Sequence, residues 1–247
     1  MSRARVGTVL SVVVLVLGLG CATSLEHFHV YEVQKVDAPV AVALTDQFDP
    51  AAKDGKLETL THFANPARKS HGGGQFGVNH PERHLTFYTL KQGQAEPRRT
   101  VRFRNQFGQH SVDVRDPSFL LVPTQKTSAG NVFPDSLDHY KCYEVTQVNV
   151  APPPPVVTLG DQFGLRQNVQ VGKPRFFCPP VKKEREGEPP HAIMNAVDHL
   201  AVYDLPPQAQ TVTIETKDQF GGHTLDVLQS VLLIVPTVKE VVVAHQN

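Results

Sequence analysis

Histidine and tyrosine recur at one spacing four times: His27-x-x-x-Tyr31, His84-x-x-x-Tyr88, His139-x-x-x-Tyr143 and His199-x-x-x-Tyr203. An imidazole and a phenol at a fixed offset can exchange protons, bind a ligand or simply hydrogen-bond, so these eight residues are the first candidates for chemistry. The residues between them, Leu85/Phe87, Tyr140/Cys142 and Leu200/Val202, are those of a strand whose apolar face points inward. His and Tyr then share the opposite face, exposed or packed against another repeat. We read the pairs as architectural, ordering each strand at an inter-repeat contact. A repeated ligand-binding row and a catalytic row are the alternatives.

Other reactive groupings are weaker. His27-x-His29 would share a strand face, and His71, His80 and His84 cluster around a Gly-rich loop. Zinc needs three or four convergent ligands, and neither group has an established ligand spacing, so no metal and no cofactor is expected. The chain lacks Gly-x-Ser-x-Gly, a Walker loop and Gly-x-Gly-x-x-Gly, and Gly72-Gly73-Gly74-Gln75-Phe76-Gly77 reads as a flexible loop. No catalytic residue is assigned. With 24 Lys+Arg against 24 Asp+Glu, the chain has no global field for nucleic acid.

The elements that position the His/Tyr pairs repeat with them. Each pair is followed by Gln-Phe, in Asp46-Gln47-Phe48, Asn105-Gln106-Phe107, Asp161-Gln162-Phe163 and Asp218-Gln219-Phe220. Each copy then closes on Pro-x-x-Lys: Pro66/Lys69, Pro123/Lys126, Pro179/Lys182 and Pro236/Lys239. These ends read as strand exits with a solvated lysine. The Asp or Asn before Gln-Phe falls in register with apolar residues, so its side chain should be buried and bonded to a turn N–H. Copies 2 and 4 also share a histidine after the turn (His110, His223), while copies 1 and 3 share Tyr-Glu-Val and Asp-Gln-Phe.

This A-B-A-B pattern suggests duplication of a two-repeat unit. Residues 21–126 would form a first β domain, 127–138 a linker and 139–247 a second β domain. Alternation such as Val212, Ile214, Thr216 and Asp218 has period two, and no segment after the leader reads as helix. The expected fold is all-β: four repeats of about four strands, paired into two tandem sandwich- or barrel-like domains. A single four-bladed propeller is the alternative. Pro152–Pro155 reads as a stiff connector.

The three cysteines divide by position. Cys142 and Cys178 occur together in copy 3, and the other copies have neither, as expected of a bonded pair. Closing that loop is worth roughly 3–4 kcal/mol in the chain-entropy view. A buried reduced pair and a metal or catalytic thiol are the alternatives. Residues 1–20 have the pattern of a signal peptide, with Arg3 and Arg5, an apolar run from Val6 to Leu19, and Gly20 before Cys21. The segment resembles a bacterial lipoprotein signal, which implies lipidation of Cys21. Secretion with a free thiol and an uncleaved anchor helix are the alternatives.

His139-x-x-Cys142-Tyr143, Asp161-Gln162-Phe163-Gly164 and Cys178-Pro179-Pro180-x-x-Lys183 together resemble a bacterial extracellular repeat module, domain of unknown function 7450. The resemblance implies export and tandem copies and carries no assigned activity. The expectation is an exported, lipid-anchored, non-enzymatic module for binding, adhesion or structure at the bacterial cell envelope. It would be periplasmic or surface-exposed, with the outer membrane favoured. Its partners would be the membrane, through the lipid, and a protein or glycan. An envelope hydrolase with an unrecognised site is the competing class, and would need a deep pocket with convergent polar groups.

Overall fold

A computed structural model describes residues 25–127 and 132–244; the expected signal peptide, 1–20, and Cys21 lie outside them. The described chain is all-β, thirteen strands in one antiparallel sheet. Copy 1 holds β1 (His27–Thr45), β2 (Lys53–His71) and the short β3 (Gly74–Phe76). Copy 2 holds β4 (His84–Gln92), β5 (Arg99–Asn105) and β6 (Gly108–Lys126). Copy 3 is the most divided, with β7 (His139–Val150), β8 (Val156–Asp161), β9 (Gly164–Gln170), β10 (Pro174–Cys178) and β11 (Pro180–Glu184). Copy 4 has β12 (Asp198–Asp218) and β13 (Gly221–Ala244).

Copy 4 shows the unit most simply. β12 and β13 pair from Asp198↔Val238 to Asp218↔Gly221 as one long hairpin with Gln219-Phe220 at its tip. Register shifts between Asp204 and Gln208 and between Ala209 and Val212 divide the hairpin into a root and an arm. Such bulges bend a strand and raise its twist, which lets one hairpin serve two layers. The roots close a ring. β1 pairs β2, β2 pairs β4, β4 pairs β6, β6 pairs β7, β7 pairs β10, β10 pairs β12, β12 pairs β13, and β13 pairs β1. Closure leaves these roots without a free edge.

The arms reach across the ring to the copy two places away. Near its tip, β1 pairs β11; β5 pairs the end of β13, β8 pairs the end of β2, and β12 pairs the end of β6. Three buried clusters result. One takes alternate root residues from all four copies: Phe28, Val30, Leu85, Phe87, Tyr140, Cys142, Leu200 and Val202 among them. This is the inward face expected from the alternation. The other two clusters pack root residues of the opposite face with arm residues.

The structure does not show a tandem division at 127–138. Backbone pairs cross that point between β6 and β7, β6 and β12, β1 and β11, and β2 and β8, and every core cluster draws on both sides of it. The copies also share one hydrogen-bonded sheet, whereas propeller blades are separate sheets.

Cys142 and Cys178 form a disulfide within the inner cluster. The register corrects the repeat alignment here. Pro180, not Pro179, faces Tyr140, just as Pro66, Pro123 and Pro236 face Phe28, Leu85 and Leu200. The extra proline breaks the strand between β10 and β11, which shifts the alignment by one residue. Cys178 therefore corresponds to Ala64, Leu121 and Ile234. Those residues lie directly opposite Val30, Phe87 and Val202. The disulfide replaces an inward cross-strand apolar pair found in each other copy.

Candidate functional site

The four tips share a local structure. The Asp or Asn side chain accepts the backbone N–H of the Phe two residues on: Phe48 to Asp46 at 2.7 Å, Phe107 to Asn105 at 2.9 Å, Phe163 to Asp161 at 2.8 Å and Phe220 to Asp218 at 2.7 Å. This is the turn bond expected from the sequence. The glycines that follow in copies 2, 3 and 4 have φ of 115°, 139° and 144°, values that a side chain rarely tolerates.

Each tip seats between two other copies, and the His/Tyr pairs are its receptors. The tyrosine of one copy bonds the Asp or Asn of the copy two places on. Tyr31 donates to Asp161 at 2.8 Å, Tyr88 to Asp218 at 2.6 Å and Tyr143 to Asp46 at 2.7 Å; Tyr203 accepts from Asn105 at 2.7 Å. The histidine of one copy bonds the Gln of the next. His27 meets Gln106 at 2.6 Å, His84 meets Gln162 at 3.0 Å, His139 meets Gln219 at 2.5 Å and His199 meets Gln47 at 2.6 Å. All eight residues are buried, and Tyr203 also borders the cavity lined by Pro152, Val171 and Leu205. They form four latches that lock the arms onto the ring.

The residue midway between His and Tyr completes each latch, and its type follows the tip. His29 bonds Asp161 at 3.1 Å, Thr86 reaches Asp218 at 3.3 Å, and Lys141 lies 3.6 Å from Asp46 and 2.9 Å from Asp49. Copy 4 has Ala201 there, which cannot donate, and the tip that meets it carries Asn105 in place of a carboxylate. A buried carboxylate is costlier to leave without a second donor than a buried amide. The longer tip of copy 1 adds Asp49, which is also paired with Lys53 at 2.8 Å and Arg99 at 3.4 Å. Burial raises the Asp49 carboxyl, but bonds from Lys53 and Lys141 outweigh it and hold the group below the usual carboxylate range. Lys141, Thr86 and Asp49 were not singled out from the sequence, although Lys141 and Thr86 share the strand face of their His and Tyr.

The expectation of solvated lysines at the strand exits holds for Lys182, which is partly exposed, and is overturned for Lys69 and Lys126. Lys69 and Lys126 are buried, and the structural equivalent in copy 3 is buried Lys183 rather than Lys182. Each points to the tip of the next copy: Lys69 lies 4.2 Å from the Phe107 ring, Lys126 5.2 Å from Phe163 and Lys183 5.2 Å from Phe220. Lys126 and Lys239 also bond the Gln162 and Gln47 carbonyls. The aromatic face and amide oxygen let the ammonium leave water. Lys69 has no amide partner, and burial pushes it down to about 7.

The electrostatics of the pairs follow from burial. Desolvation, assisted by Lys69, lowers His27 to about 3, and desolvation lowers His84 and His199 to about 4. His139 is driven well down by burial and the nearby His191 and Lys183. Burial raises all four tyrosines, helped in copies 1 to 3 by the facing carboxylates. Neutral imidazole and un-ionised phenol, each with a fixed partner, make a latch rather than a proton shuttle. The remaining histidine candidates are dispersed: His71 faces the Val156 carbonyl at 3.3 Å and His80 pairs with Glu82 at 3.1 Å.

A closed ring of four hairpins, each latched by its neighbours, defines the protein as a β-repeat assembly within a single chain. The model of the repeat of unknown function DUF7450 matches residues 84–236, more than half of the chain, and the protein belongs to that family. The match starts at His84; copy 1 lies before it and has the same latches. No curated protein and no solved structure matches the chain.

Proposed function

We propose that the protein is an exported, lipid-anchored, non-enzymatic module that serves binding, adhesion or structure at the bacterial cell envelope. The observation that carries this reading is the use of the recurring polar residues: His, Tyr, Asp/Asn and Gln are engaged in four equivalent latches. A closed, crosslinked ring suits a rigid platform whose loops face a partner. The cationic start, the apolar run and Cys21 support export and a lipid anchor.

Intact mass measurement of the mature protein, with and without reductant, tests the anchor. The expected species starts at Cys21, carries acyl mass and has no free thiol until reduced. An unmodified Cys21 would remove the anchor from the proposal. A protein pull-down and a glycan array with the mature chain test the binding role. Turnover in a panel of ester, glycoside and peptide substrates would favour the hydrolase instead.

A further inference from the structure

The strand that leaves a root needs a neighbour on each side. In copy 1, β1 stops at His27↔Ala67. Beyond that point β8 takes one side of β2, and the chain returns as β3 to take the other, against Lys69–His71. In copy 3, β7 stops at His139↔Val181 and β1 takes one side of β11. There His191 returns to exchange two backbone bonds with Lys183, at 2.9 and 3.2 Å. An uncovered edge presents N–H and C=O groups that pair readily with another strand.

Copy 4 leaves its exit uncovered. Asp198 and Arg104 both pair with Val238, so β12 and β5 flank β13 on opposite sides there. β12 begins at Asp198, whereas β5 continues along β13 to Ala244↔Arg99. Among the described residues, no backbone bond reaches Glu240–Ala244 from the side where β12 is missing. Neighbouring residues of a strand turn their N–H and C=O to opposite sides, so part of this backbone faces outward unbonded.

The side chains at this edge are apolar. Val241 and Val243 share a face of β13 and are 44% and 50% exposed, while Val242 packs against a buried cluster on the other face. Met194 and Val197, also exposed, lie in the segment that leads into Asp198, on the same side as the free edge. A register shift sits before this stretch, at Glu240, and Val241–Ala244 then pair one to one with Arg102–Arg99. The edge of β9 is, by contrast, blunted. It carries a register shift and Asn168 at φ 54°, and Arg166 reaches across it to Ser230 and the Pro206 carbonyl.

We propose that a second copy of the chain covers the β13 edge, the two β13 strands pairing antiparallel about a two-fold axis and joining two rings into one sheet. Val241-Val242-Val243 reads the same in both directions, so a pair centred on Val242 sets each Val241 opposite a Val243 of the other copy. The exposed valines then meet twice. Glu240 falls opposite Ala244, so no like charges face each other. The backbone edge calls for a strand, and this strand is its own complement. The inference goes beyond the envelope-module reading and does not depend on the lipid anchor.

Sedimentation velocity on residues 21–247, with Cys21→Ser to exclude a lipid, tests the proposal. A monomer–dimer equilibrium is expected, with a Kd of roughly 10–100 µM for so short a pairing. Val241→Lys combined with Val243→Lys sets lysines opposite lysines and should raise that Kd at least about tenfold. Leu228→Lys, at an exposed residue elsewhere on β13, should leave it unchanged. Hydrogen exchange on the natural sequence is the second measurement, and it decides if the lysine variant does not fold. Amides of Val241–Ala244 that face away from β5 should gain protection as the dimer forms. A monomer at every concentration, a dimer indifferent to the two lysines, or unchanged exchange at Val241–Ala244 in the dimer would each overturn the assignment.

Discussion

Within the latches, the tip residue and its receptor are matched by charge. Asp46 and Asp49 face Lys141, whose ammonium has no exposure to water, and Tyr143 donates to both carboxylates at 2.7 and 3.0 Å. Removing the cation takes the ion-pair partner from buried Asp46, while Asp49 keeps Lys53 and Arg99, so Lys141→Met is expected to cost about 3 kcal/mol in urea denaturation. Tyr143→Phe, which deletes a hydroxyl but keeps the ring, should cost about 1–3 kcal/mol. The histidines set the acid limit. With His27 near 3 and His84 and His199 near 4, against about 6.5 when unfolded, all three are neutral in both states above pH 6.5. Below that, the unfolded chain takes up protons that the folded chain refuses. Stability should therefore fall from pH 6.5 to about 4, by roughly 1.4 kcal/mol per pH unit for each histidine. Thermal melts across that range check it; a flat profile would mean that the latch histidines are solvated.

At the scale of the element, one hairpin belongs to two layers because bulges separate its root from its arm. The tip geometry depends on its glycine, so Gly221→Ala, at φ 144°, should cost about 1–2 kcal/mol and loosen the copy 4 latch. Hydrogen exchange at Gln219 and Phe220 would report the loosening. The disulfide acts in the root instead. Cys142 and Cys178 close 36 positions and fill an inward pair, so replacing both with Ala is expected to cost roughly 3–4 kcal/mol. A loss well below 1 kcal/mol in denaturation would show that the inner packing, not the crosslink, holds copy 3 together.

For the whole molecule, latching between copies two places apart explains the A-B-A-B pattern. Copies 2 and 4 exchange tips, so His110 meets Tyr203 and His223 meets Tyr88. Copies 1 and 3 do the same through Asp46 with Tyr143 and Asp161 with Tyr31. Like residues occur in alternate copies because those copies are reciprocal partners. Expressing 21–126 and 139–247 separately distinguishes this from tandem domains. Two independent domains would each give a folded monomer. The ring requires that neither half folds as a monomer, since every tip then lacks its tyrosine receptor; a folded half should be a symmetric dimer. Light scattering with circular dichroism separates these outcomes.

The sequence by itself determined the all-β class, the four units, the inward face of each root, the Asx bond at each tip and the pairing of Cys142 with Cys178. These are local or periodic properties, legible because strand alternation and turn chemistry depend on residues a few positions apart. It was silent on where each arm goes, and so misplaced Lys69 and Lys126 as solvated and did not show the ring. His27 and Gln106, or Tyr31 and Asp161, meet only after chain closure brings distant segments together. That closure rests on long-range backbone pairing and on burial of polar groups with exact partners, and neither leaves a local pattern.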